Sequence, residues 1–598
     1  MLMIRISRFV PIALALIIVL ACSTGSDTNP LSNHLRVETT SGPVIAEIDD
    51  TVKTWRDIPY AQPPIDDLRW RAPRPVELPF KKTVTRDTVA CLQIASDAGG
   101  VPGEGVVGSE DCLYLDIKAP LTAKAEESLP VMFWIHGGGN TAGYKGYYDF
   151  SSLVETENVV VVTINYRLGP LGWLSHPVVQ DTSKGLDRSS NFGTLDIIQA
   201  LGWVQNNIEK FGGDPDNVTI FGESAGGHNV FALLVSPLSD GLFHKAISQS
   251  GYLETATVQE AINQSNDHPQ MRRSSSQLFS AMVDAGDLPN VTAESVYRIS
   301  GTRLLEHYAA LDNDGDVPLS TADGIVIPKE GMLAALADST KAKGVPVIAG
   351  ANRDEVTLWL GMHRYFVDAD YLFTRLLPPR LKIKNPELYG FWTRIRSDAW
   401  KVRGVDEPLS AMEKAGYPDL YAYRFDWDDQ EDSFFADFPK LIGAAHGIDI
   451  AFVTGNYTYG PISDYIYPES ESREEMREIM MSAWAGFART GKPKLPIDWP
   501  TFSANDRDFI HLDVADGLRV SRDRSTMSSL LDEARRSDLL SGLELCLLVW
   551  DTLTKVGEPD YAAYEKWENG HCSKVDAGAE QAIINNEIIA EHGSTNVL

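Results

Sequence analysis

An α/β fold on a large, mostly parallel sheet is the architecture predicted for this chain of 598 residues, and three observations predict it. Short β-branched and aromatic runs recur without the apolar/polar alternation of a half-exposed strand. Stretches with apolar residues at helical spacing lie between them. One run also passes directly into a serine flanked by glycines, as a sharp strand-to-helix turn requires.

The predicted buried strands are 130–135 (PVMFWI), 159–165 (VVVVTIN), 218–221 (VTIF), 245–248 and 345–349 (VPVIA). Residues 195–211 (LDIIQALGWVQNNIEKF) read as a helix stopped by Gly212-Gly213. Residues 253–343 and 356–415 are rich in helix formers and read as helical insertions around the sheet, and 472–489 as an amphipathic helix. Residues 543–549 (LELCLLV) suggest one more packed helix. With no fixed-period repeat and no long internal linker, one large domain is expected despite a length prior of about four.

Composition narrows the partners. Lys and Arg number 53 against 83 Asp and Glu, for a formal charge of −30, and the pI is near 4.8. Nucleic acid and anionic lipid are disfavoured as electrostatic partners, since both need clustered cations. A negative field also favours neutral or cationic small molecules over polyanions. With 43% hydrophobic residues the chain is not disordered.

The first residues read as an export signal. Residues 1–8 carry Arg5 and Arg8 and no acid, and lead into the apolar run 9–20. That run is shorter than the about 20 residues needed to cross a bilayer. Residues 19–22 (VLAC) resemble a bacterial lipobox, in which Cys22 would be lipidated and become the mature N-terminus. The alternative is an ordinary cleaved signal and a secreted, soluble protein. The expected layout is a lipoprotein-type signal peptide (1–21), a flexible tether (22–36), one catalytic domain (37–572) and a C-terminal tail (573–598). The expected location is the periplasm or outer membrane, with membrane contact only through the lipid. Setting Cys22 aside leaves Cys91, Cys112, Cys546 and Cys572, which allow three connectivities. The local pairing, Cys91 with Cys112 and Cys546 with Cys572, is expected in an oxidising compartment.

Two motifs carry chemistry. Strand 218–221 enters Gly222-Glu223-Ser224-Ala225-Gly226, a turn too tight for side chains on either flank of the serine. It sets the hydroxyl at a helix N-terminus, where the dipole favours developing negative charge. Strand 130–135 ends in His136-Gly137-Gly138-Gly139-Asn140. Successive glycines can aim several backbone N–H groups at one point and so form an oxyanion hole. His136 reads as structural.

These motifs resemble the type-B carboxylesterase and cholinesterase family of α/β-hydrolases. The likeness extends to 58–64 (IPYAQPP), 69–75 (RWRAPRP), 109–117 (SEDCLYLDI), 134–139 (WIHGGG), 165–169 (NYRLG), 211–227 (FGGDPDNVTIFGESAGG), 246–251 (AISQSG), 350–355 (GANRDE), 445–452 (AHGIDIAF) and 484–493 (WAGFARTGKP). The resemblance implies an α/β-hydrolase fold and a serine carboxylic-ester hydrolase acting through an acyl-enzyme, with no metal or organic cofactor. It implies Ser224 as nucleophile, His446 as general base and Glu355 as triad acid, with Asp354 the competitor for that last role. The N–H groups of Gly138, Gly139 and Ala225 would form the oxyanion hole. It further implies a Cys91–Cys112 disulfide, ion pairs of Arg167 with Asp196 and of Glu110 with an Arg in 69–71, a field-tuning or packing role for Glu223, and a supporting hydrogen bond from Ser250.

Two departures stand out. Cholinesterases hold a quaternary ammonium against a Trp between the first two disulfide cysteines, whereas 92–111 contains no aromatic residue, which argues against choline esters. Asn140 replaces an aromatic residue common in the family and bears on the acyl side of the pocket. An amidase or lactonase on the same triad is the alternative activity. A non-catalytic adhesion homologue is disfavoured by the intact Ser224, Glu355 and His446.

Overall fold

Strands buried on both faces need helices on both sides, and the sheet is covered in that way. The computed structural model describes residues 35–49, 51–79, 89–97, 99–263, 274–311, 320–371, 378–460 and 462–597. The signal segment, Cys22 and the tether up to residue 34 lie outside the described residues. The main sheet has eleven strands: β1 (Glu47–Asp49), β2 (Val52–Pro59), β3 (Tyr114–Pro120), β4 (Leu129–Ile135), β5 (Val160–Ile164), β6 (Gly213–Glu223), β7 (Lys245–Gln249), β8 (Val347–Asn352), β9 (Leu420–Phe425), β10 (Asp508–Leu512) and β11 (Arg519–Arg522). Their spatial order is β11-β10-β9-β8-β7-β6-β4-β5-β3-β2-β1. From β10 to β5 every neighbouring pair is parallel, while both edges are antiparallel.

Period-2 geometry explains why β4 reads as an unbroken apolar run. Val131, Phe133 and Ile135 enter one core, and Met132 and Trp134 the other. Helix α1 (Phe192–Asn207) covers the first face through Ile197, Leu201 and Val204. Further along come α2 (Ala225–Val235), the short α3 (Thr357–Leu360), α4 (Pro386–Lys401), α5 (Asp449–Thr454) and α6 (Glu471–Thr490). The second face is covered by α6 through Met480, Trp484 and Phe487.

The insertions are not purely helical. Val367–Asp370 pairs antiparallel with Arg380–Ile383, and α4 runs into a π-helical turn, Val402–Asp406. Residues after 572 include a further helix. Helix α7 (Gly542–Thr554) is joined to the following loop by Cys546–Cys572, and Asp576 caps α8 (Ala577–His592). Beyond α8, Val597 is buried. Both disulfides take the local pairing, Cys91–Cys112 and Cys546–Cys572. Among the described residues no helix is long and apolar enough to cross a membrane.

Both expected ion pairs form. Arg69 donates to both oxygens of Glu110. Arg167 donates through Nε and Nη2, each at 2.7 Å, to a fully buried Asp196, whose own burial pushes its pKa up against the pull of Arg167. Removing one partner of such a pair strands the other. Arg167→Ala should therefore lose about 3–5 kcal/mol in urea unfolding, whereas surface pairs such as Arg298–Glu294 should cost under about 1 kcal/mol.

Candidate active site

The carboxyl ends of the central parallel strands form the floor of the site, where side chains on connecting loops converge. Ser224 follows β6 directly and adopts φ 58°, ψ −122°, a strained combination for a residue with a side chain. Its N–H donates to Gln249 O at the end of β7 (2.9 Å), and α2 begins at the next residue. The flanking glycines are steric requirements. A Cβ on Gly226 would lie 2.0 Å from Ile135 O, and one on Gly222 would lie 2.6 Å from the same oxygen. Within this buried elbow Ser224 is partly exposed.

The glycine loop after β4 lies against the elbow, since a Cβ on Gly137 would meet Glu223 O at 2.8 Å and Ser224 Cβ at 3.1 Å. Gly138 (φ 96°) and Gly139 (φ 61°) occupy the left-handed region and are exposed. Any side chain on Gly138 would strike Ala142 O. Ala225 is the first residue of α2 and is buried. His136 is buried, stacks on Tyr166, and burial lowers its pKa to about 4; it is a neutral packing residue. Asn140 turns inward, accepting from Asn229 Nδ2, so its buried side chain shapes the loop's support.

Glu355 and His446 meet as expected. Glu355 Oε2 lies 2.5 Å from His446 Nδ1, and Oε1 accepts from the N–H of Asn352. Asp354 points elsewhere: it pairs with Arg353 and accepts from the N–H of Ala444. The loop carrying His446 is fixed by Asn352 Nδ2 donating to Ala445 O, and by Asp449, which receives Gln249 Nε2 (2.7 Å) and Asn352 Nδ2 (3.2 Å). Trp484 Nε1 completes this buried network on Gln249 Oε1.

The other imidazole nitrogen faces a second carboxylate. His446 Nε2 is 3.2 Å from Glu223 Oε1, and neither atom has a hydrogen-bond partner. Since Glu223 immediately precedes Ser224, this contact brings the ring to the elbow. Burial opposes charge on His446, but Glu223 and Glu355 outweigh it and raise its pKa above the usual histidine value. Burial likewise raises Glu223, against the attraction of His446. Ser250 does not make the hydrogen bond expected of it. It sits at φ 49° with a buried, unpartnered Oγ, and its backbone N–H donates to Gly350 O.

Two residues were not anticipated from sequence. Trp359 and Trp400 stack at 5.8 Å, and their rings lie 5.1 Å and 5.0 Å from the His446 ring. Trp359 falls one helical turn after Glu355, which is the only sequence signal that could have placed it near the site. Trp400 has none, being brought in by α4.

The sheet and the strained serine at its centre define an α/β-hydrolase, and comparison with known proteins narrows this. The Carboxylesterase family matches residues 34–371 and 388–528. A para-nitrobenzyl esterase of Bacillus subtilis is 33% identical over 497 residues, covering 80% of this chain and 95% of the relative. A cocaine esterase of Oryctolagus cuniculus is 32% identical, covering 77% and 87% respectively. Among solved structures, a PNB esterase superposes with a TM-score of 0.64 at 27% identity, over 84% of this chain and 99% of that one. A carboxylesterase of Geobacillus stearothermophilus gives 0.63 at 27%, over 82% and 98%. The chain belongs to the carboxylesterase family, and it is a carboxylic-ester hydrolase.

The elbow geometry makes a direct demand. Gly226→Ala must push β4 away from α2, so it should lose most esterase activity and unfold at lower urea concentration than wild type. Gly202→Ala, at an open position inside α1 where a Cβ meets nothing within 4 Å, should leave activity unchanged and unfold at slightly higher urea concentration than wild type.

Proposed function

We propose that the ester is cleaved in two steps through an acyl-enzyme on Ser224. The supporting observation is the convergence of a strained, partly exposed serine, exposed glycine amides and a buried imidazole oriented by Glu355. In the first step Ser224 Oγ attacks the ester carbonyl while His446 Nε2 accepts its proton. Glu355 fixes the tautomer with hydrogen on Nδ1 and stabilises the imidazolium. The amides of Gly138, Gly139 and Ala225 stabilise the oxyanion. His446 then returns the proton to the departing alcohol oxygen. Water, deprotonated by the same imidazole, releases the carboxylate product.

The names of the relatives, which include esterases for para-nitrobenzyl and cocaine substrates, support small neutral or cationic esters as substrates. The basic, apolar and Cys-terminated first 22 residues, together with the two disulfides, support export and a lipid tether at Cys22. Cys22→Ala should move the protein from the detergent phase to the aqueous phase in Triton X-114 partition.

Ser224→Ala should reduce kcat on p-nitrophenyl butyrate by roughly 10⁴–10⁶-fold with little change in KM. Retention of activity would exclude the proposed nucleophile. A raised pKa on His446 sets the acid limb of kcat/KM above the usual histidine value of about 6.5, because the free base appears only as pH rises through the folded pKa. Glu223→Gln removes one of the two carboxylates that hold the imidazolium. Its acid limb should therefore shift to lower pH, and an unshifted profile would show that Glu223 exerts no field on the base.

A further inference from the structure

A second carboxylate–imidazole–hydroxyl chain, unused by the esterase mechanism, lies at the edge of the main sheet. His511 is on β10 between Ile510 and Leu512, which pack into one core. Its own side chain points to the opposite face, beside the Phe509 ring at 4.7 Å. There His511 Nδ1 is 2.5 Å from Asp426 Oδ2, and Nε2 is 2.7 Å from Ser521 Oγ on β11. Asp426 follows β9 directly, and its N–H donates to Leu512 O. Strand β11 is five strands from β6, roughly 20–25 Å at about 4.8 Å per strand, so the chain is separate from the Ser224 site.

The order of the three groups is that of a general-base relay. Arg424 lies opposite His511 in the strand register and donates through Nε (2.6 Å) and Nη2 (3.0 Å) to the two oxygens of Asp426. Burial opposes charge on Asp426, but the hydrogen bonds from His511 and Arg424 outweigh it and lower its pKa to about 2. Asp426 is therefore a carboxylate at neutral pH, and an acceptor on that side puts the imidazole hydrogen on Nδ1. Nε2 is left as an acceptor, and the Ser521 hydroxyl donates to it. Asp426 and His511 are buried, whereas Ser521 is partly exposed. The relay thus ends in a hydroxyl at the surface.

We infer that Ser521 is a second acyl-accepting hydroxyl, one that takes a small acyl group from activated aryl esters and keeps it. In that step Ser521 Oγ bonds to the acyl carbon and its proton passes to His511 Nε2. The bond from the acyl carbon to the aryl oxygen breaks, a phenolate departs, and the imidazolium gives its proton to solvent. Ser521 differs from Ser224 in what surrounds the developing oxyanion. On an extended strand the side chain stands off the sheet while the N–H groups lie within its plane, so backbone amides do not converge over Ser521 Oγ as they do at an elbow. Each missing oxyanion donor costs roughly 10²–10³-fold in rate. Acylation therefore demands a good leaving group, and the same deficit slows deacylation, so the acyl group stays. A serine reagent supplied at about one equivalent is consumed at Ser224, and only excess reagent reaches Ser521.

The test takes the full chain carrying Ser224→Ala and an excess of p-nitrophenyl acetate, with the acetylated peptides identified and timed by tandem mass spectrometry. An acetyl group should appear on Ser521, accompanied by release of about one p-nitrophenolate per chain. Ser521 should react roughly 10²–10⁴-fold faster than Ser537, a partly exposed serine whose hydroxyl accepts from Leu539 N. Adding Ser521→Ala should abolish the release. His511→Gln should remove most of the advantage over Ser537. Asp426→Asn, which disturbs the tautomer, reads the same loss should His511→Gln fail to show a cooperative unfolding transition. An acetyl group absent from Ser521, formed there no faster than on Ser537, or formed at an unchanged rate in a folded His511 or Asp426 variant would overturn the proposal. The adduct is read by peptide, so it is scored independently of whether Ser224 is the esterase nucleophile.

Discussion

One imidazole between two buried carboxylates is the constraint on which the site depends. His446 is 5% exposed, with Glu355 on Nδ1 and Glu223 facing Nε2. An isolated buried charge of this kind would be far too costly, so Glu223 relies on the imidazole it faces, while Glu355 and the neighbouring Asp449 have further donors. Glu355 has the Asn352 amide, and Asp449 below it has Gln249 and Asn352. These groups come from the ends of β6, β7 and β8 and from the loop before α5. The parallel order of the sheet is what brings segments more than 200 residues apart to one point. Two acids against one base hold the imidazolium and raise the pKa of His446 against the cost of burial.

The strain at Ser224 belongs to the same arrangement. Its unusual backbone angles persist because the neighbouring strand and helix over-determine them. Ile135 O faces both flanking glycines, Gln249 O receives the serine N–H, and α2 starts immediately. The elbow, the glycine loop and the paired carboxylates are thus one packing unit rather than three separate devices.

Much of this was legible in the sequence because it is locally encoded. Strands buried on both faces announce themselves as unbroken apolar runs, and the steric needs of the elbow and the glycine loop are written as glycines. Glu355, His446 and both local disulfides followed from motif resemblance and short loop closure. What stayed hidden was set by distant contacts. The edge strands β1 and β11 are short and polar, and the paired strands Val367–Asp370 and Arg380–Ile383 sit among helix formers. Trp359 and Trp400 are ordinary aromatic residues until α3 and α4 pack together. The last described residues likewise hydrogen-bond the backbone after α3, and Arg403 donates to Leu553 O and Glu558 O, contacts that no local pattern announces. The free Oγ of Ser250 was unreadable for a similar reason, since only the fold decides whether a buried hydroxyl finds a partner.

Because two serines, Ser224 and Ser250, lie on neighbouring loops of this site, the central claim is tested most directly by locating the covalent intermediate. The protein should be treated with a fluorophosphonate and digested, and the modified peptide sequenced by tandem mass spectrometry. The account predicts one adduct per chain, on Ser224, formed more slowly at acid pH as His446 is protonated. An adduct on Ser250, or no stoichiometric adduct in a protein that still hydrolyses esters, would contradict it.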